Sequence, residues 1–184
     1  MEINSPGGTV LASKEIADKV KLIEKPIIAL IREVGASGAY WIASSSDLII
    51  ADELSITGSI GVISSYLQFS GLLDNYNVTY ERLVTGKFKD TGSPFKELTQ
   101  SERNMLQSKL NIIEAKFVSD VAKNRKMKLE DVQKLANGEF YLGIEAKQNG
   151  LIDLTGNKAL AIQKAKEMAN ITKENVVEYV KKPS

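Results

Sequence analysis

"EVGASGAYWIASSSD" (residues 33–47) decides how the whole chain is read. Gly35, Ala36, Ser37, Gly38 and Ala39 set one hydroxyl among residues with almost no side chain. The run before them, "PIIALI", has the apolar continuity of a buried strand. The run after them, "YWIASSS", continues as a helix. A strand, a tight small-residue turn and a helix together make a device that exposes a nucleophile. The first turn of that helix has unpaired N–H groups and the positive end of the helix dipole, both of which favour negative charge on a bound oxygen. The Gly38 N–H is thus a candidate oxyanion donor. The competing reading is a plain close-packed turn, in which small residues let a helix approach a strand.

A serine nucleophile needs a base, and the chain contains no histidine. That excludes a Ser-His-Asp triad. The base must come from lysine, a carboxylate or tyrosine, and lysine is the best-precedented partner of serine when histidine is absent. A lysine amine titrates near ~10.4 in water and must be brought down by roughly 2–3 units to act near neutrality, which burial achieves by disfavouring the ammonium. Composition cannot choose among the many lysines. "GKFKD" carries two, Lys87 and Lys89; if it is extended, both point to one face and Phe88 to the other. A second oxyanion donor is expected from "SPGG", where Gly7 and Gly8 leave the backbone open to close approach and Pro6 stiffens the entry. A simple turn is the alternative there.

The 184 residues suffice for one domain with a real core, or one domain with a small extension. With 43% hydrophobic and 26% charged residues the chain is globular rather than disordered. A net charge of +1 without a long basic block argues against nucleic acid as a partner. No window approaches the ~18 apolar residues of a membrane span, so a soluble chain is expected. The absence of cysteine excludes disulfides, thiolate metal sites and cysteine nucleophiles. Without histidine as well, nearly all catalytic zinc sites go. Carboxylate-only magnesium or calcium sites survive, but neither an EF-hand nor a P-loop is present, so no metal and no cofactor is expected.

Outward from residue 33, "EIN" reads as the tail of a strand and "TVLASKEIADKVKLIEK" as a helix with Val10, Leu11, Ile16, Val20 and Ile23 at helical spacing. "DLIIAD" and "SITGSIGVI" read as strands, "SSYLQFSGLLDNYN" as a short helix, "VTYERLVT" as an alternating strand and "GKFKDTGSPFKE" as a polar loop. "LTQSERNMLQSKLNIIEAKFVSDVAKNRK" is the longest helical pattern, opened by a capping box from Thr99 to Glu102. "KLEDVQKLANG" is a helix ending at Gly138. "LGIEAKQNG" is a short helix, "LIDL" a strand, "NKALAIQKAKEMAN" a helix and "NVVEYV" a terminal strand. Helices alternate with strands, so the class is α/β with a mostly parallel sheet.

"INSPGG", "VGASGAYWIASSSDLIIAD", "TGSIGV" and "GKFKDTGSPF" stand in the order and spacing of the signal peptide peptidase A family, which the chain resembles from about Ile3 to about residue 160. That resemblance implies a Clp protease/crotonase-like fold of repeated β-β-α units with flanking helices. It implies a single protease domain over residues 1–184, of which 99–184 is a helical extension and C-terminal α/β part. By the resemblance Ser37 is the nucleophile, Lys89 the general base and Ser59 a hydroxyl that orients the lysine amine, with Gly7, Gly8 and Gly38 at the oxyanion hole. Lys87 falls where the family varies. The implied activity is hydrolysis of hydrophobic peptides such as remnant signal peptides, by a homo-oligomer. Because "GKFKDTGSPF" is a polar, glycine-bearing loop that would not keep an amine dry unaided, a neighbouring chain is expected to help desolvate Lys89, the protein's own core being the alternative. The family has a membrane anchor and further strands before "INSPGG". The resemblance therefore implies a fragment of a membrane-anchored protein whose protease part faces the extracytoplasmic side.

The chain departs from the family pattern at Ala39 and Trp41, where glycine and tyrosine are common, and at Glu139 and Leu142, which replace an arginine and a threonine. Two rivals remain: a crotonase-like acyl-CoA enzyme that would not need the serine nucleophile, and a non-catalytic oligomeric scaffold. Retention of Ser37, Ser59 and Lys89 together speaks against the scaffold.

Overall fold

In the computed structural model, residues 1–179 are described. The chain divides into two compact units, Met1–Gly61 together with Phe117 onward, and Val62–Lys116.

The first unit is built on β2, Ile28–Ala36. Its first four residues are all buried, which a strand covered on both faces requires. β1, Glu2–Ser5, pairs parallel with β2 along one edge, matching Glu2 to Leu30 and Ser5 to Gly35. The other edge is shared. β3, Leu48–Ala51, pairs parallel with residues 28–31, and β4, Ile56–Gly58, pairs parallel with residues 34–36. Between the two pairings Arg32 and Glu33 are exposed. The β3–β4 connection crosses at this gap and is fastened by the Ser55 hydroxyl donating to the Arg32 carbonyl. One strand therefore serves two diverging partners, and the sheet curls around it. β5, Phe140–Leu142, adds antiparallel to β4, and β6, Leu154–Thr155, parallel to β3. The α/β class and the mostly parallel sheet expected from the sequence are present.

α1, Val10–Lys21, and α2, Gly38–Ser44, follow β1 and β2. α2 buries Gly38, Ala39, Tyr40, Trp41, Ala43 and Ser44. A helix enclosed on nearly every side is positioned by packing from every side, and so is the residue that opens it. Tyr40 is fully buried and its phenol donates to the Leu151 carbonyl at 2.7 Å. Trp41 stacks on Phe117 with ring centroids 4.5 Å apart and donates through Nε1 to Asp120 at 3.2 Å. Such an aromatic pair is worth about 0.5–1.5 kcal/mol beyond its area. Phe117 and Asp120 lie on α4, Gln100–Arg125, whose residues from 117 belong to this unit. Arg125 closes a bidentate pair with Asp153, whose Oδ2 also accepts the Ile49 N–H at 2.7 Å. α5, Leu129–Leu135, α6, Gly143–Gln148, and α7, Lys158–Ala169, complete the unit. At Leu142, in the N-cap position of α6, the side chain has no hydroxyl, and the Glu145 carboxylate caps the helix by accepting the Leu142 N–H at 2.8 Å.

The second unit holds α3, Ser70–Asn75, and the N-terminal part of α4. The Thr99–Glu102 capping box forms in both directions, with Thr99 N–H to Glu102 Oε2 at 2.8 Å and Glu102 N–H to Thr99 Oγ1 at 3.3 Å. "VTYERLVT" is not a strand. All residues from 78 to 84 are exposed, so the alternation has no buried face to serve. In "NVVEYV" residues 175–179 form no strand, and Val180 lies outside the described residues. Among the described residues no helix is long and apolar enough to cross a membrane.

Candidate active site

Ser37 is the hinge between β2 and α2. Its N–H donates to the Gly58 carbonyl at 2.8 Å, extending the β2–β4 ladder by one step, and its carbonyl accepts the Trp41 N–H at 3.0 Å, opening the helix. Serving both elements forces a reversal of the chain within one residue. Ser37 therefore has φ 53° and ψ −124°, a conformation that favours glycine. Its hydroxyl does not cap the helix it begins. A serine at an N-cap ordinarily spends its hydroxyl on that bond, so the oxygen here is left for other chemistry.

The "SPGG" turn lies against this residue. Gly7 has φ +120°, and a Cβ on it would meet Ser37 Cβ and the Gly38 nitrogen at 3.0 Å each. Glycine is required there by strain and by space. The Gly7 N–H is tied to Ser5 Oγ at 3.2 Å, whereas among the described residues the Gly8 N–H meets no acceptor. A Cβ on Gly38 would sit 3.3 Å from the Gly8 nitrogen and 2.2 Å from Ser13 Oγ. The amides of Gly8 and Gly38 thus flank one small region beside Ser37. Ser13 Oγ also lies against Gly38, and it donates to the Thr9 carbonyl at 2.9 Å. Ser5 and Ser13 were not singled out in the sequence. For Ser5, the Ser-x-Gly spacing of a hydroxyl-anchored turn was the available signal.

Ser59 follows Gly58, which pairs with Ala36. It also has positive φ, 49°, and its N–H donates to the Glu139 carbonyl at 2.8 Å. Its hydroxyl donates to the Gly138 carbonyl at 3.3 Å, which leaves the oxygen lone pairs as acceptors. The first unit therefore brings together Ser37, Gly38, Gly7, Gly8 and, just past the end of the adjoining strand, Ser59.

Lys89 belongs to the second unit. "GKFKD" is not extended: residues 86–92 wind through successive turns, with the Lys89 N–H donating to the Gly86 carbonyl at 3.1 Å and the Thr91 N–H to Phe88. The two-face argument for Lys87 and Lys89 therefore does not apply. Both side chains are exposed in the chain, and the Lys87 amine lies over the Phe88 ring, 5.2 Å from its centroid. Tyr40, three residues past Ser37, is excluded as a base. Burial pushes its phenol far up, and its proton is committed to Leu151.

The second unit, which carries Lys89, holds two carboxylates well below the usual range. Asp90 is lowered to about 2 by the Arg82 guanidinium, and Glu102 to about 2 by Lys96 and by the Thr99 N–H. A carboxyl depressed on folding stabilises the fold when ionised. The Glu102 contribution is therefore full above about 4.5 and is lost as pH falls to about 2. Urea unfolding is expected to show Glu102→Gln less stable than the wild type at pH 6, with the difference narrowing below pH 4.5 and closing near pH 2. A pH-independent difference would contradict that origin.

Residues 19–172 match the family model described as Peptidase family S49. A Methanocaldococcus jannaschii protein, named provisionally as a protease, is 37% identical over 179 residues, 96% of this chain and 58% of its own length. An Enterococcus faecium protein, named provisionally as signal peptide peptidase SppA, is 39% identical over 182 residues, 97% of this chain and 53% of its own. Protease 4 of Haemophilus influenzae is 34% identical over 181 residues, 97% of this chain and 29% of its own. The chain spans little more than half of the first two relatives and less than a third of the last.

Proposed function

Because this chain belongs to peptidase family S49, we propose that it is a serine endopeptidase in which Ser37 attacks a peptide carbonyl and Lys89 is the base. The observation that carries the reading is the strained Ser37, whose hydroxyl makes no capping bond and is flanked by the amides of Gly8 and Gly38. Neutral Lys89 Nζ takes the Ser37 Oγ proton as Oγ bonds to the carbonyl carbon. The oxygen of that carbonyl becomes the oxyanion, and the Gly8 and Gly38 N–H groups stabilise it. The Lys89 ammonium then protonates the leaving amine as the C–N bond breaks, giving an acyl-serine. Water, deprotonated by the same amine, attacks that ester, and the ammonium returns its proton to Ser37 Oγ. Ser59 orients the amine by accepting one of its hydrogens, its own proton being directed to Gly138. Gly7 serves by lacking a side chain.

Hydrophobic peptides, remnant signal peptides among them, are the proposed substrates; the name of the Enterococcus relative supports this class. Self-association is part of the proposal. An amine left in water stays protonated and is a poor base, and a neighbouring copy of the chain would cover Lys89. The second unit displays Ile63, Leu67 and Leu83 at 88%, 73% and 95% exposure, apolar side chains that a neighbouring copy could cover. The test is hydrolysis of a fluorogenic apolar peptide over a dilution series with light scattering in parallel. Activity per chain should fall as copies separate; constant activity through dissociation would show that each chain completes its own site.

The turn makes a separable prediction. Gly7→Ala is expected to lower kcat about 100-fold, because the new Cβ must displace Ser37 or the Gly38 amide. Gly8→Ala, whose Cβ meets nothing within 4 Å, should keep most of the activity. Equal losses at both positions would remove Gly7 from the account.

A further inference from the structure

The loop that carries Lys89 is fastened at points on the C-terminal side of the lysine, and one carboxylate joins the fastenings. Asp90, the next residue, receives a two-pronged bond from Arg82: Nε to Oδ2, and Nη2 to Oδ1 at 2.7 Å. Thr91 donates through Oγ1 to Glu102 Oε1 at 3.3 Å, and the Lys96 amine donates to the same oxygen at 2.7 Å. The other oxygen, Oε2, accepts the Thr99 N–H at 2.8 Å and the Thr99 hydroxyl at 2.9 Å. Glu102 is only 2% exposed. A capping box needs Oε2 alone. Oε1 is spent elsewhere, on two residues of the loop that follows Lys89.

We infer that Glu102 is a positioning residue for catalysis, which ties the Lys89 loop through Thr91 and Lys96 to the first turn of α4 and so fixes where the base is presented. The inference rests on Lys89 being that base. Residues 86–92 wind through consecutive turns with glycines of positive φ at 86 and 92, and their backbone bonds, Lys89 N–H to Gly86, Thr91 N–H to Phe88 and Ser93 N–H to Asp90, all close within the loop itself. Those turn bonds shape the loop locally, and the side-chain ties fix it to α4 and to Arg82. The Arg82–Asp90 pair holds the residue adjacent to the lysine, and the Glu102 carboxylate holds the next one. Both carboxyls titrate near 2, so both ties are fully charged at neutral pH. A proton transfer is sensitive to small misplacements: about 1 Å can cost on the order of 100-fold in rate. Loosening a tie without touching the amine should therefore lower turnover and leave substrate binding alone.

The experiment compares Thr91→Val, Thr91→Ser and Glu102→Gln with the wild type, on a fluorogenic apolar peptide, at a fixed chain concentration. Lys89→Ala is run beside them, with thermal melts of all. Thr91→Val and Glu102→Gln are expected to lower kcat about ten-fold or more with KM unchanged. Thr91→Ser keeps the hydroxyl and should keep the wild-type kcat. If Glu102→Gln melts at the assay temperature, Thr91→Val decides, since it leaves the capping box whole. Unchanged kcat in Thr91→Val overturns the inference, as does an equal loss in Thr91→Ser, or a loss confined to KM. If Lys89→Ala keeps full activity, the base assignment itself has failed, and this result differs from a failure of the tether, in which Lys89→Ala is inactive while the Thr91 variants turn over normally.

Discussion

Replacing Ser37 by glycine is expected to abolish peptide hydrolysis and to make the protein more stable. The loss of activity follows from losing Oγ, the proposed nucleophile. The gain in stability follows from the backbone. At φ 53° and ψ −124° a residue with a Cβ is strained, at a cost of about 1–3 kcal/mol, and glycine removes that cost. Glycine also raises the entropy of the unfolded chain, giving back roughly 0.5–1 kcal/mol. The balance is a gain of about 1 kcal/mol, which at this chain length raises the melting temperature by about 2–4 °C. The hydroxyl makes no capping bond whose loss would offset this. Ser37→Ala, which keeps the strain, should be equally inactive without becoming more stable. A Ser37→Gly protein that is inactive and markedly destabilised would mean that the serine is structural, as in the plain-turn reading of "GASGA".

Lys89→Ala is expected to lower kcat by on the order of 10²–10⁴-fold with circular dichroism unchanged, and Lys87→Ala to leave kcat as it is. The two lysines are two residues apart in one turn-rich loop, and both are exposed in the chain. A nonspecific effect of removing positive charge would strike them alike. Lys87 has an alternative occupation over the face of Phe88, worth only about 0.5–1 kcal/mol at an exposed site. If Lys87→Ala loses activity and Lys89→Ala keeps it, the two roles are reversed and the tether through Thr91 loses its purpose.

The parts of this structure that were legible in the sequence are those set by local chemistry. The strand–turn–helix around Ser37 is announced by the change from "PIIALI" to small residues. The Thr99–Glu102 capping box forms as written, since its three-residue spacing is sufficient to define it. The unreadable parts depend on distant partners. Nothing in "PIIALIREVGA" says that β3 leaves β2 at Ile31 and β4 joins at Val34, because that register is set by residues some twenty positions away. β5 is three residues long and exists by pairing with β4, so "FYL" gave no period of its own. "VTYERLVT" misled because alternation matters only where one face is buried; there, Tyr80 instead packs its ring against Phe95, and Arg82 reaches Asp90. At the site, the glycines of "SPGG" were visible as a pair, but their division of labour was not. Only the Ser5 hydroxyl, by occupying the Gly7 N–H, leaves Gly8 as the amide beside Gly38.

The most direct test of a Ser37 nucleophile served by Lys89 is the rate at which a fluorophosphonate probe phosphonylates the protein, Oγ bonding to phosphorus as fluoride leaves, with the modified residue located by peptide mass spectrometry. The wild type should carry one adduct, on Ser37, and Lys89→Ala should form it slower by on the order of 10²-fold or more at the same pH. An adduct on another serine, or a Ser37 adduct forming at the same rate in both proteins, would contradict the account.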